Sequence, residues 1–138
     1  IRAPSLAAAI SGLKTCMRED FDIDEVTVGI NANLYKRHDI DGLVPIEADG
    51  ALARTLDDFL RTRLIECGPL EAERAKRLFP KSAQPILTAA LVPLEKEKHL
   101  GLLALGSREA GRFAPRQGKM FLEMTAELVA AALRARLG

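Results

Sequence analysis

Cys67 can do the most chemistry of any residue in this sequence. It sits next to Gly68 at the end of the short stretch Arg63-Leu64-Ile65-Glu66-Cys67-Gly68 and could serve as a thiol nucleophile or redox sensor. Such work needs a lowered thiol pKa and normally a resolving cysteine nearby. The second cysteine, Cys16, falls on the apolar stripe of the first helix, which makes it a poor resolver. A buried structural thiol is therefore the favoured reading of Cys67. Arg63 carries a planar fork of donors that matches a carboxylate or phosphate. The competing reading is a surface ion pair, with Glu66 at hand, worth under about 1 kcal/mol. Thr27 and Asn31 lie on the polar side of an alternating segment, where they either line a wet pocket or sit under a loop with their hydrogen bonds satisfied. Thr88 raises the same question in an otherwise apolar run, although threonine in a strand is ordinary. With Phe59 and Phe79 from the segments expected to cover that face, these residues define the expected pocket: Thr27, Asn31, Phe59, Arg63, Cys67, Phe79 and Thr88.

Other constellations carry less. Arg108, Arg112, Arg116 and Lys119 concentrate positive charge ahead of the last helix. An anion site at that helix N-terminus is conceivable, but a solvated face is the favoured reading. Asp39-Ile40-Asp41-Gly42 begins like a calcium loop but lacks the later oxygen ligands and the closing Glu, so it reads as a turn. Two Cys and two His are too few for a structural zinc site. No glycine-rich phosphate loop, Ser-His-Asp set or pair of catalytic carboxylates stands out. The expectation is a non-enzymatic protein with no catalytic residues, no metal and no cofactor.

Composition sets the same bounds. The chain has 138 residues, a formal net charge of +1, five Phe, one Tyr and no Trp. This length fits one domain, 1–138, large enough to fold without a disulfide or metal. The near-neutral charge gives no field for nucleic acid or a membrane surface, and scarce aromatics offer few base-stacking platforms. No apolar run reaches the roughly 18 residues of a membrane span, and no secretory signal is visible. The expected location is cytoplasmic, where a Cys16–Cys67 disulfide is disfavoured. The chain opens on Ile1 rather than Met, as expected of a piece of a longer protein.

The elements that must position these side chains follow from hydrophobic spacing. Residues 4–19 place Leu6, Ile10, Leu13 and Met17 on one helical stripe, and residues 1–19 read as the end of a helix open to continuation upstream. Residues 23–34 alternate, with Val26, Val28 and Ile30 on a dry face. Leu43-Val44-Pro45-Ile46 suits an edge strand, where Pro45 is tolerated. A helix is expected over 50–62 with Asp49 as N-cap, a strand over 63–68, and a short helix over 71–79 stopped by Pro80. The apolar runs 86–94 and 100–107, joined by a charged turn, pair as an antiparallel hairpin covered on both faces. The last helix is expected to begin near Pro115. It carries two apolar stripes, one through Phe121, Met124, Leu128 and Ala131, the other through Leu122, Ala126, Val129, Leu133 and Leu137. Two stripes imply two partners.

This order of elements resembles the GAF domain and, more closely, the GAF-like part of the family Domain of Unknown Function 484. The resemblance is carried by Arg63 with Cys67-Gly68-Pro69-Leu70, by Leu78-Phe79, by Ala89-Ala90-Leu91-Val92-Pro93-Leu94, by Gly101-Leu102-Leu103-Ala104-Leu105-Gly106-Ser107 and by Arg112-Phe113-Ala114-Pro115. It implies an α/β (α+β) fold: a GAF-like antiparallel sheet with terminal helices on one face and connecting helices and loops over the other. It also implies a sensory or regulatory module binding an unidentified small molecule. The cyclic-nucleotide signature of some GAF domains is absent. Two alternatives remain open: a homodimerisation module with a vestigial pocket, and a thiol-dependent reductase like the GAF-like proteins that reduce free methionine sulfoxide. GAF-like domains often pair through their terminal helices, so a homodimer through the first and last helices is expected.

Overall fold

The computed structural model describes residues 3–35, 40–95, 98–113 and 119–137. Helix α1 spans Ala3–Phe21 and leads into strand β1, Glu25–Asn31, and strand β2, Leu43–Ile46. Helices α2 (Ala51–Thr55) and α3 (Asp57–Thr62) precede strand β3, Glu66–Pro69, and helix α4, Ala72–Leu78. The hairpin is β4, Thr88–Leu94, and β5, Gly101–Ser107, and helix α5 spans Met120–Leu137. The strands form one five-stranded sheet in the order β2-β1-β5-β4-β3. β1 and β2 are parallel, whereas β1–β5, β5–β4 and β4–β3 are antiparallel. The expected hairpin is present in register, with Thr88 opposite Ser107 and Leu94 opposite Gly101, and Pro45 lies on an edge strand.

Strand alternation divides the interior into two layers. On one face Val28, Ile30, Ala90, Val92, Leu103 and Leu105 pack with Leu6, Ile10 and Met17 of α1 and Leu122, Ala126 and Leu133 of α5. On the other, Ala89, Leu91, Leu102 and Ala104 pack with Leu56, Phe59, Leu78, Phe79 and Ile86 from the connecting segments. Terminal helices on one face and connecting helices on the other match the expectation, and the lack of clean alternation in β4 and β5 follows from this double cover.

Boundaries moved for local reasons. The helix expected over 50–62 is broken at Leu56, whose backbone leaves helical geometry (φ −108°, ψ 24°) while its side chain is fully buried. The Thr55 hydroxyl donates to the Ala51 carbonyl at 2.8 Å, a back-bond of the kind that bends helices. Gly50, not Asp49, is the N-cap, and no side chain caps there. β1 stops at Asn31 because residues 32–34 turn, with the Leu34 N–H donating to the Asn31 carbonyl. β3 starts at Glu66 rather than residue 63, because Arg63 closes α3 in a left-handed conformation. The expected start of the last helix at Pro115 lies outside the described residues. Within α5, the stripe through Leu122, Ala126, Val129 and Leu133 is core, whereas Met124 and Leu128 are 57% and 72% exposed.

Candidate functional site

The expected pocket over the β1 face is filled. Phe59 is fully buried and Phe79 nearly so, both packed in the second core layer. The Thr27 hydroxyl donates to the Leu78 carbonyl at 2.6 Å, so its polarity is used to dock α4 onto β1. Thr27 and Phe79 also line, with Leu78, a separate depression of about 520 Å³ beside β2, which none of the other expected residues reaches. Cys67 and Thr88 belong to the opposite face: Cys67 pairs with Ala90, packs against the α1/α5 layer, and Thr88 shares the phase of Ala90 and Val92. The Thr88 hydroxyl donates to the Glu109 carbonyl at 2.8 Å. The structure thus corrects the sequence-based site. Thr27, Phe59, Phe79, Cys67 and Thr88 are packing residues, divided between two faces that β-strand alternation keeps apart.

Asn31 and Arg63 are brought together, with a partner that sequence reasoning missed. Antiparallel pairing of β1 with β5 sets Ile30 opposite Gly101, so the hairpin turn carrying His99 lies beside the end of β1. The Asn31 side-chain amide reaches the His99 carbonyl at 3.5 Å, and its oxygen accepts the Asn33 N–H at 3.0 Å. The Arg63 Nη2 lies 2.8 Å from the His99 Nδ1. A guanidinium is only a donor, so Nδ1 is the acceptor and the ring proton is on Nε2. The Arg63 Nε and Nη1 are sealed from solvent and have no hydrogen-bond partner among the described residues. That burial pulls the guanidinium below its ordinary pKa. Glu66, the expected ion-pair partner, is instead bound by Arg74 at 3.2 Å.

Backbone strain converges here. Non-glycine residues with positive φ in the described chain are Asp22, Arg63, Glu95 and His99. Arg63 contacts His99, and the His99 N–H donates to the Glu95 carbonyl at 2.8 Å. Left-handed geometry costs a residue with a Cβ roughly 1–2 kcal/mol, so several such residues in contact mark a locally over-determined structure. The helix ending at Arg63 would be served more cheaply by glycine. Between this wall, the end of β1 and α3 lies a groove of about 540 Å³, with Ile46 and Leu60 as apolar lining and Arg54, Arg61, Arg63 and Asp57 as charged groups. Arg54 also holds the Asp49 carbonyl at 3.0 Å, and Arg61 holds Asp58 at 2.6 Å. A second groove, about 700 Å³, lies on the far side of Arg63 against α5. Its Glu95 carboxylate is occupied by Arg134, with Nε at 2.8 Å. That bond holds Glu95 below the usual carboxylate range.

Neither thiol is activated. Burial pushes the Cys67 thiol up, opposed more weakly by the charge of Lys119. The Cys16 thiol, 3.5 Å from Asp20, is raised chiefly by that hydrogen bond. Both cysteines are free. The basic residues before α5 form no shared anion site among the described ones. Arg112 donates to the Phe21 carbonyl and stacks on Phe113, Arg108 bonds Gln84, and Arg116 lies outside the described residues. Among the described residues no cluster of His, Cys, Asp and Glu is placed to hold a metal ion, and no helix is long and apolar enough to cross a membrane.

Fold and groove together define a small mixed α/β domain: an open sheet with both faces packed and an amphipathic, cation-rich cleft at one end. The chain belongs to the family described as protein of unknown function, DUF484, whose model matches residues 3–136. No curated protein matches the chain.

Proposed function

We propose that this chain is a cytoplasmic, non-enzymatic sensory or regulatory module that binds a small molecule in the groove beside Asn31, Arg63 and His99. The observation that supports this reading is Arg63: a left-handed residue whose guanidinium is partly buried, with two donors unused and a third resting on a neutral imidazole. Buried donors are normally satisfied, so the Arg63 guanidinium gains by turning out of this position toward an acceptor in the groove. The reading differs from the sequence expectation in place, because the sheet face is closed by Phe59, Leu78 and Phe79. Native mass spectrometry of the purified chain, followed by crystallography with any retained molecule, tests it. Retained mass with density touching Arg63 supports the reading, and density confined to another depression refutes it.

A specific observation also favours the interaction-module reading. Met120, Met124 and Leu128 recur at four-residue steps along α5 and are 75%, 57% and 72% exposed. Beside them Phe21 and Phe121 meet with ring centroids 4.8 Å apart and tilted by 42°, lining an apolar groove of about 530 Å³ between α1 and α5. A second copy of the chain laid along this stripe would bury it at a shallow crossing angle. Sedimentation at micromolar concentration decides it: a dimer that Leu128→Glu converts to monomer supports the reading, and a monomeric parent chain refutes it. The reductase reading is the least supported, because a thiol raised by burial is mostly protonated at neutral pH.

A further inference from the structure

We infer that the ligand of this groove is an anion with a small apolar body, its carboxylate or phosphate gripped by Arg63 and flanked by His99. The inference rests on the groove being the ligand site and adds the chemical class that it selects. The argument begins with donors. Arg63 holds Nε–H and Nη1–H without partners and sealed from solvent; they lie on either side of Nη2, so each shares a two-donor edge with that nitrogen, and one such edge matches a pair of anionic oxygens once the guanidinium turns out into the groove. His99 is already within 2.8 Å of the third guanidinium nitrogen, and its Nδ1 is occupied as an acceptor. A ligand with donors would find no free acceptor on either group, whereas one with anionic oxygens relieves the unmet donors of Arg63. The rest of the groove has the same sign. Arg54 and Arg61 face it with Asp57, and although Arg61 is paired with Asp58, the three arginines Arg54, Arg61 and Arg63 outnumber the two carboxylates. Asn31 is committed to the turn through both ends of its amide and so positions His99 rather than reading the ligand. Ile46 and Leu60 give the remainder of the groove an apolar lining, which asks for more than a bare ion.

The test compares probes of one shape. Benzoate, phenyl phosphate and benzamide share a ring and differ in the charged group. They are titrated into the isotope-labelled chain while the backbone amides of Asn31, Ala53 and His99 and the Arg63 Nε–H are followed by NMR. The expected result is saturable shifts at these positions for benzoate or phenyl phosphate, with affinity at least about tenfold above benzamide, the scale of a hydrogen bond to a charged group. Whichever anion binds tighter identifies carboxylate or phosphate as the recognised group. Arg63→Lys keeps the charge but loses the fork and should weaken the anion about tenfold or more, and Arg61→Gln, an exposed change, should weaken it several-fold through lost field. Benzamide binding as well as the anions would overturn this inference and leave the groove a ligand site. No shift at these amides with any probe would overturn the groove reading as well. If the Arg63 variant unfolds, the wild-type Arg63 Nε–H signal still decides, because an anion bound elsewhere leaves it unmoved.

Discussion

Gly101→Ala tests the register that assembles the groove. Gly101 begins β5, opposite Ile30 of β1, and lines the cleft next to His99. A Cβ added there would fall inside the Gly29 carbonyl oxygen, 2.8 Å from its carbonyl carbon and 3.0 Å from the Ile30 Cα. All three are backbone atoms of the neighbouring strand, so no rotamer change can make room. Ordinary carbon contacts need about 3.5–4.0 Å, so the ends of β1 and β5 must part. The first loss is the bond from the Asn31 N–H to the Leu100 carbonyl, now 2.8 Å, at about 1 kcal/mol. Overpacking strain adds about 1–3 kcal/mol, while the stiffer unfolded chain returns about 0.4–1 kcal/mol. The net is a destabilisation of about 2–3 kcal/mol, survivable for a domain with about 5–15 kcal/mol in hand. Urea denaturation followed by circular dichroism would show the midpoint falling by about 1–1.5 M at a slope of about 2 kcal/mol per M. A midpoint within about 0.3 M of the parent, about 0.6 kcal/mol at that slope, would mean that Gly29 and Gly101 do not meet and that His99 is not carried to Arg63 by this pairing.

The remaining predictions separate packing from binding. Gly12→Ala, in α1 with nothing within 4 Å of the new methyl, should stabilise by about 0.5–1 kcal/mol, seen as a higher melting temperature; a loss would place Gly12 in a contact the structure lacks. Phe59→Ala removes a fully buried ring and should cost about 3–5 kcal/mol in the same urea assay, against almost nothing if that face is an open pocket. Thr27→Val leaves the Leu78 carbonyl without its 2.6 Å partner and should cost about 1–3 kcal/mol while leaving probe binding at Arg63 unchanged. Asp41 is held below the usual carboxylate range by hydrogen bonds from Lys14 and Lys81. Its folded pKa lies under the unfolded value, so its stabilisation is present above about pH 4 and is lost as pH falls through the folded value. Asp41→Asn should therefore cost under about 1 kcal/mol at pH 7, discounted because the pair is exposed, with the difference closing as pH falls through the folded value of Asp41.

What the sequence revealed and what it concealed have a common physical cause. Two apolar runs around a charged turn specify a hairpin covered on both faces, because only an antiparallel pair closes so short a connection. The stripe through Leu122, Ala126, Val129 and Leu133 identified the buried side of α5 for the same reason: periodicity records burial. Periodicity says nothing about which hydroxyls find a carbonyl. Thr27 and Thr88 were therefore expected at a pocket, although each is spent on a backbone acceptor far along the chain, Leu78 and Glu109. Sequence spacing alone puts Cys67 and Thr27 in one group, at the covered face. Their opposite phases become visible only once the pairings Cys67↔Ala90 and Thr27↔Ala104 are known. His99 was missed because a histidine in a charged turn carries no pattern, and only the strand register brings it to Arg63.

The filling of the second face changes where this fold can hold a ligand. With Phe59, Leu78 and Phe79 packed over β4 and β5, opening a cavity there would sacrifice core contacts worth several kcal/mol per ring. The end of the sheet carries no such penalty. There the chain turns at Arg63 and His99, both left-handed, and the groove between them and α3 is already open to solvent. Ligand contact at Arg63 can also reach the rest of the domain, because Arg63 closes α3 and borders a second groove against α5. Glu95, the first residue of the turn after β4, ties that turn to Arg134 of α5 through its carboxylate and accepts the His99 N–H through its carbonyl. An anion that draws Arg63 away from His99 therefore acts on a turn whose other anchor is the helix bearing the exposed Met124 and Leu128 stripe. The two readings of function are joined by that route: a ligand-dependent change in self-association, abolished by Glu95→Gln without loss of anion binding, is the outcome the connection requires, and sedimentation with and without benzoate measures it.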